Sequence, residues 1–314
     1  MEMDNDNLRR MIREPNFFHH CTQPYLPHGV ESLGNPSLVV RAGVVFLNRC
    51  KSLEPIEYDN RWKGTPFYWI GSAAFLAHDY ETAAFLYDAS ASEDMREVRE
   101  GEHPPGRITP AIRFLLVQGD QADQAAQALT QHLQTQLDVA INDYNGRQST
   151  IVPQLTLAEI RTHFLQRLLE ARQDTTLVTA FISYFLEWHH RSGLVGLGIR
   201  SGSAEPFVLH LFKGCLLFES LLRSNPTQRQ SSPDTLGDLL QTFHKELAIP
   251  AQRRDRKSRL GIDIERRDID FQTVLAAVAS ADRSIATAVA MTDLTRNTLG
   301  HRLDWEVQFD KGNI

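Results

Sequence analysis

The heptapeptide TRNTLGH, residues 295–301, lies near the C-terminal end of this 314-residue chain. The run before it, 268–294, is rich in Ala, Val, Ile and Leu, a pattern that predicts a long apolar helix. Gly300 is a typical residue at which such a helix ends. On a straight helix, side chains five residues apart face different directions. We therefore expect a break near Gly300 that returns His301 to the side of Arg296.

The three reactive side chains of this heptapeptide suit the cleavage of RNA. Arg296 is a permanent cation whose planar fork fits phosphate oxygens. His301 has a reference pKa of about 6.5, so it can accept or donate a proton near neutrality. Asn297 can both donate and accept hydrogen bonds. Attack of a 2′-hydroxyl on the neighbouring phosphodiester needs a base and a cation, and it requires no metal or other cofactor.

The pattern Arg-polar-x-x-x-His, late in a helical chain, resembles the Arg-x(4–6)-His signature of the HEPN superfamily. The resemblance implies a helical bundle that forms a homodimer, with two copies of the motif meeting in one composite site. It also implies metal-independent RNA cleavage that leaves a 2′,3′-cyclic phosphate, as in toxin and defence systems. Arg296, Asn297 and His301 are then the catalytic residues.

Other interpretations of the heptapeptide remain open. Arg296 and His301 are also typical of a helix C-terminus, where cations favour the helix dipole. A HEPN-like bundle that does not cut is a helical adaptor that binds RNA, a nucleotide or a protein partner. A third alternative is an enzyme that acts on small nucleotides. A regulatory protein or nucleotide is a further partner that the sequence leaves open.

The remaining chain predicts an all-α protein. Three segments are expected: an irregular, proline-containing arm over 1–36, a helical module over 37–150, and the HEPN-like bundle over 151–314. Within the bundle, the stretch 208–219 is apolar almost all round, which indicates a buried helix. Glu219 is the acid in that stretch, and it either orients a catalytic group or reaches water.

The segment Phe67–Asp94 resembles a tetratricopeptide-like helix pair. Its small residues, Gly71 and Ala83, allow two helices to approach closely, and Tyr87 fills the groove between them. The turn is expected at 79–80. Such a pair serves either as a partner or sensor surface, or as scaffold.

A basic segment precedes the heptapeptide. The stretch 251–302 contains ten Lys or Arg and seven Asp or Glu, a local charge of +3 in a chain with a net charge of −6. We expect a flexible loop over 250–267 that contacts the phosphate backbone of RNA, or else a solvated loop without that role. The candidate RNA-binding residues of this segment and its surroundings are Arg253, Arg254, Arg256, Lys257, Arg259 and Arg302.

Composition limits the cellular setting. Three widely spaced cysteines, Cys21, Cys50 and Cys215, form neither a disulfide framework nor a zinc-binding pattern, and they favour reduced thiols in the cytoplasm. The acidic start differs from a secretory signal, and no apolar run reaches the length of a membrane span. The negative net charge argues against a protein that coats nucleic acid indiscriminately.

Overall fold

The chain is all-α, as the sequence predicts. The structure, a computed structural model, describes residues 4–22, 34–100, 109–119, 124–147, 154–168, 175–196, 205–224, 235–261, 273–274, 276–277 and 284–301. No strand occurs among these residues. Nor is any helix in this part of the chain long and apolar enough to cross a membrane.

The helices are numbered in chain order. The first eight are α1 (Asn5–Ile12), α2 (Phe17–Thr22), α3 (Pro36–Leu53), α4 (Pro55–Asn60), α5 (Gly64–Leu76), α6 (Tyr80–Glu100), α7 (Ala111–Leu115) and α8 (Gln124–Arg147). The later ones are α9 (Leu157–Ile160), continued by a π-helical turn over Arg161–Leu165, then α10 (Thr176–Gly196), α11 (Glu205–Ser224), α12 (Leu236–Thr242), α13 (Arg253–Ser258) and α14 (Ile285–His301).

The chain divides into two compact units. Unit 1 comprises Met1–Thr135 and Ala158–Ser183, and unit 2 comprises Gln136–Leu157 and Tyr184–Ile314. The boundaries predicted from the sequence lie near residues 36 and 150. All three crossings between the units fall inside helices, in α8, α9 and α10, so no loop marks them.

The prediction of an irregular arm over 1–36 is wrong for residues 5–12 and 17–22, which form α1 and α2. Leu8 and Ile12 are four residues apart, share one face of α1 and are buried. Phe18 at the start of α2 is also buried, and its ring meets that of Tyr58 edge-on at 5.5 Å. Apolar burial over these short helices therefore outweighs the polar and proline-rich composition that favoured a loop.

The helix pair expected over Phe67–Asp94 is present as α5 and α6, which pack against each other. A Cβ atom at Gly71 would lie 3.2 Å from the Leu86 Cβ, so the glycine permits this close approach. Tyr87 fills the space between the helices and is buried. The connecting residue His78 has a φ of 59°, and the Asp79 side chain then caps α6.

In unit 2, α11 and α14 pack against each other, and α13 packs against α14. The shared core combines residues from α11, α14 and the segments between them. Its buried members are Val208, Leu260, Val274, Ala277, Ala290, Met291, Leu294 and Leu299. Burial of this apolar surface is the main force that holds α14 in place.

A buried carboxylate ties α6 to neighbouring parts of unit 1. Asp94 accepts hydrogen bonds from the Trp62 indole nitrogen at 3.0 Å and from the Thr109 backbone nitrogen at 2.9 Å. Ser90 joins the same network by donating to the Gly64 carbonyl. A Cβ atom at Gly64 would lie 2.6 Å from both the Asp94 carboxylate and the Trp62 nitrogen, so only glycine fits there. Burial raises the pKa of Asp94 to about 7, because desolvation outweighs these hydrogen bonds.

The raised pKa predicts that the thermal stability of the chain falls as the pH rises from about 5 to about 8. An unfolded aspartate has a pKa of about 3.9, so the folded chain binds more protons across this range. A loss of 1 kcal/mol lowers Tm by about 2–4 °C in proteins of about 150–250 residues. The measurement is calorimetry of the wild type and Asp94→Asn over this pH range.

Asp94→Asn should remove most of this pH dependence, whatever its effect on stability at a single pH. Asp59→Asn is the matched control, because that carboxylate is exposed and should leave the dependence intact. An unchanged slope in Asp94→Asn would assign the pH dependence to another group.

Candidate functional site

Helix α14 carries the heptapeptide on a continuous backbone. The helix begins after Ser284, whose hydroxyl oxygen accepts the Thr287 backbone N–H at 3.2 Å. It runs through Gly300 to His301, so the predicted break near Gly300 is wrong. Glycine is tolerated inside a helix at a cost of about 1 kcal/mol, and the packing of the rest of α14 compensates for that cost.

The continuous helix separates the directions of Arg296 and His301. A five-residue offset corresponds to a rotation of about 500°, which leaves the two positions about 140° apart around the helix axis. The side chain of His301 and all of Arg302 lie outside the described residues. Positions 296 and 301 therefore lie on different faces of this helix.

Arg296 is held by an acid from the facing helix. Its Nε donates to the Glu219 Oε2 at 3.1 Å, and the other carboxylate oxygen accepts from Arg223 at 2.8 Å. Glu219 is 7% exposed, so these two contacts compensate for the removal of its charge from water. Among the described residues, Nε is the guanidinium nitrogen of Arg296 that bonds to Glu219. Its two terminal nitrogens, on a side chain 28% exposed, can still face a ligand.

Asn297 has a fixed amide orientation. Its Nδ2 donates to the carbonyl oxygen of Asp293 and to the Asp293 Oδ1, at 2.5 and 2.8 Å. Ionised carboxylates and carbonyls only accept hydrogen bonds, so the amide nitrogen must be the atom that faces Asp293. The Asn297 Oδ1 is then the atom left to meet a ligand, and it can accept a hydrogen bond but cannot donate one.

The same Asp293 carboxylate fixes the basic segment. Asp293 is 2% exposed, and its Oδ2 lies 3.5 Å from an Arg256 terminal nitrogen and 3.6 Å from the Arg253 Nε. Arg256 is 1% exposed and also donates to the carbonyls of Pro250 and Ala251. Arg256 is therefore a structural anchor, not a side chain available to RNA.

The prediction of a flexible loop over 250–267 is wrong for Arg253–Ser258, because these residues form α13. Helix α13 presents the other basic candidates at different exposures. The side chain of Arg253 is 49% exposed, Lys257 is half-buried, and Arg254 and Arg259 are exposed. The structure thus brings Arg253, Arg256 and Asn297 to one carboxylate.

Among the residues that hold Arg296 and Asn297 in place, Asp293 and Arg223 are difficult to identify in the sequence. Glu219 stands out as an acid in an apolar helix, and the structure resolves its alternatives in favour of contact with Arg296. Asp293 gives a weaker signal, its position four residues before Asn297 on a helix. Arg223 gives none, since a basic residue near a helix end is common.

A second group of titratable side chains lies around His210 on α11. Its ring stacks on Tyr184 at 4.2 Å and on Trp188 at 5.5 Å, and Glu187 beside it pairs with Lys213. Burial lowers the pKa of His210, which keeps the ring neutral. With 1% of its surface exposed, His210 belongs to the core of unit 2 and does not reach a substrate.

No protein-family model, curated protein or solved structure matches the chain. The heptapeptide and the geometry around Glu219 and Asp293 are therefore the features that indicate a function.

The Asp293 contacts predict unequal effects of two substitutions on stability. Asp293→Ala should lower the free energy of unfolding by about 3–5 kcal/mol, because it leaves the Arg256 charge buried without its carboxylate. Arg253→Ala removes a half-exposed partner of the same carboxylate and should cost less than about 1 kcal/mol. Urea unfolding followed by circular dichroism measures both values. Equal losses would contradict the anchoring role of Arg256.

Proposed function

We propose that the chain is a metal-independent endoribonuclease of the HEPN type. It cuts RNA by attack of a 2′-hydroxyl on the adjacent phosphodiester, and it leaves a 2′,3′-cyclic phosphate. The observation that carries the proposal is the arrangement on α14. Arg296 is oriented by Glu219, Asn297 is oriented by Asp293, and both precede His301 on the same helix.

The charges around Arg296 suit a phosphate ligand. One carboxylate, Glu219, pairs with two guanidinium groups, those of Arg223 and Arg296. The bond to Glu219 restricts the Arg296 side chain, so less conformational freedom is lost when phosphate binds. In the transition state the terminal nitrogens of Arg296 stabilise the charge that develops on the phosphate oxygens.

The reaction needs two proton transfers. A neutral His301 removes the proton of the 2′-hydroxyl as the bond from O2′ to phosphorus forms. The bond from phosphorus to O5′ breaks, and a protonated imidazole gives O5′ its proton. The Asn297 Oδ1 accepts a hydrogen bond, either from the 2′-hydroxyl or from the imidazole of His301. DNA lacks the attacking hydroxyl, so the activity is specific for RNA.

A homodimer would meet the geometric demand of this site. Positions 296 and 301 are about 140° apart around one helix, and the proposed site takes Arg296 and His301 from different copies. A second copy related by a two-fold axis would bring its own His301 to the phosphate that Arg296 binds. By its resemblance to the HEPN superfamily, the proposed enzyme is a defence- or toxin-type effector, and the three widely spaced cysteines favour the cytoplasm as the place where it acts.

The second candidate is a non-catalytic helical adaptor that binds RNA, a nucleotide or a protein partner. The ion pair between Glu219 and Arg296 favours it, because that pair gives Arg296 a role in holding two helices together without any substrate. The two functions differ in their products. Labelled RNA incubated with the full chain in EDTA acquires cyclic-phosphate ends only if the chain is the proposed nuclease.

Cleavage should depend on both ends of the heptapeptide. His301→Ala removes the proposed base and should lower the cleavage rate by about 10²–10⁴-fold. Arg296→Ala removes the stabilising cation and should lower it by about 10²–10³-fold. Gel analysis of labelled RNA under single-turnover conditions measures these rates.

Two exposed residues of unit 1 provide matched controls for this test. His20→Ala and Arg41→Ala remove the same residue types at the surface and should cleave at the wild-type rate. Wild-type cleavage by His301→Ala would show that the chemistry is assigned to the wrong residue.

A further inference from the structure

The surroundings of Asp293 contain more positive than negative charge. Among the described residues, three cations of one short helix, Arg253, Arg256 and Lys257, accompany the buried carboxylate of Asp293. Arg256 is fully buried between this carboxylate and two carbonyl groups, so its guanidinium neutralises the charge of Asp293. Arg253 and Lys257 remain as two cations in excess at the edge of the cluster.

These two cations face the same way. Arg253 and Lys257 are four residues apart on α13, a spacing that places side chains side by side. Like charges at this spacing destabilise a helix, and nearby negative charge removes that cost. Burial and then the charge of Arg253 lower the pKa of Lys257, with the carboxylate of Asp293 acting in the opposite direction. An anion bound between the two side chains would relieve both effects.

We propose that Arg253 and Lys257 form a phosphate-binding subsite that holds the RNA backbone beside the scissile phosphodiester. An arginine fork and a lysine point charge are the two side chains best suited to a phosphate group. Asn297 is bonded to the same carboxylate that fixes Arg253, so the subsite adjoins the proposed catalytic motif. The inference rests on the proposed function for the identity of its ligand as RNA.

Arg254 and Arg259 have a different environment. Both are exposed on other sides of α13, about 100° and 240° from Arg253 around the helix axis. No ion pair joins either of them to Asp293 in the described part of the chain. They carry the same charge as Arg253 and Lys257, but they lie outside the proposed subsite.

The test measures the binding of an RNA oligonucleotide in which every 2′-hydroxyl is methylated, so that no cleavage can occur. Fluorescence anisotropy gives Kd for the full chain across about 50–200 mM KCl. The variant Arg253→Ala/Lys257→Ala should bind more weakly and should lower the slope of log Kd against log salt by about 0.7, the contribution of one lost phosphate contact for a single strand. Arg41→Ala/Lys51→Ala, which removes an exposed arginine and an exposed lysine of unit 1, should keep the wild-type slope.

The outcomes separate the subsite from the catalytic proposal. Equal reductions of the slope in the two double variants would overturn the subsite, because only general attraction would then be lost. Undetectable binding of the oligonucleotide by the wild type would overturn it as well. A slope reduced in Arg253→Ala/Lys257→Ala alone supports the subsite, even if unmodified RNA is not cut and the nuclease proposal fails.

A competition experiment identifies the source of the phosphate. A mononucleotide or inorganic phosphate should displace the oligonucleotide only at a large excess, because each provides a single phosphate group. Displacement at concentrations equal to that of the oligonucleotide would assign the subsite to a free nucleotide and overturn its assignment to an RNA chain.

Discussion

The buried charge of Asp293 determines the geometry of the candidate site. A carboxylate removed from water is stable in its ionised form only when nearby donors and cations replace the lost hydration. Arg256 and Arg253 from α13 and the amide of Asn297 provide that replacement. The contact that neutralises Asp293 therefore also attaches α13 to α14 and orients the amide.

Glu219 has a corresponding role for Arg296, but with a different result. Its carboxylate is shared by Arg296 and the half-exposed Arg223, and it lies near the end of α11, where the ion pairs approach solvent. An arginine that donates through Nε keeps its two terminal nitrogens available. The same contact can therefore orient the side chain and leave it able to bind a ligand. This double role is why the Arg296 ion pair is compatible with both a nuclease and an adaptor.

The sequence predicts the helical class and the position of the heptapeptide because both depend on local periodicity. It does not predict the ion pair between Arg256 and Asp293, since these residues are far apart in the chain and the first appears in a basic segment that favours a solvated loop. Gly300 illustrates a different limit. Its low helix propensity suggests an end, whereas the packing of a long helix overrides the preference of one residue. Leu8 and Ile12 show that two apolar residues at helical spacing suffice when a core is present to receive them.

The network around Asp94 also links positions of unit 1 that are distant in sequence. Gly64 has no room for a side chain because the carboxylate and the Trp62 indole occupy the space where a Cβ would be. A substitution of Gly64 is therefore expected only together with a change at Asp94 or Trp62. Homologues that carry alanine or a larger residue at position 64 should show covariation, with a smaller or apolar residue replacing the aspartate, the tryptophan or both.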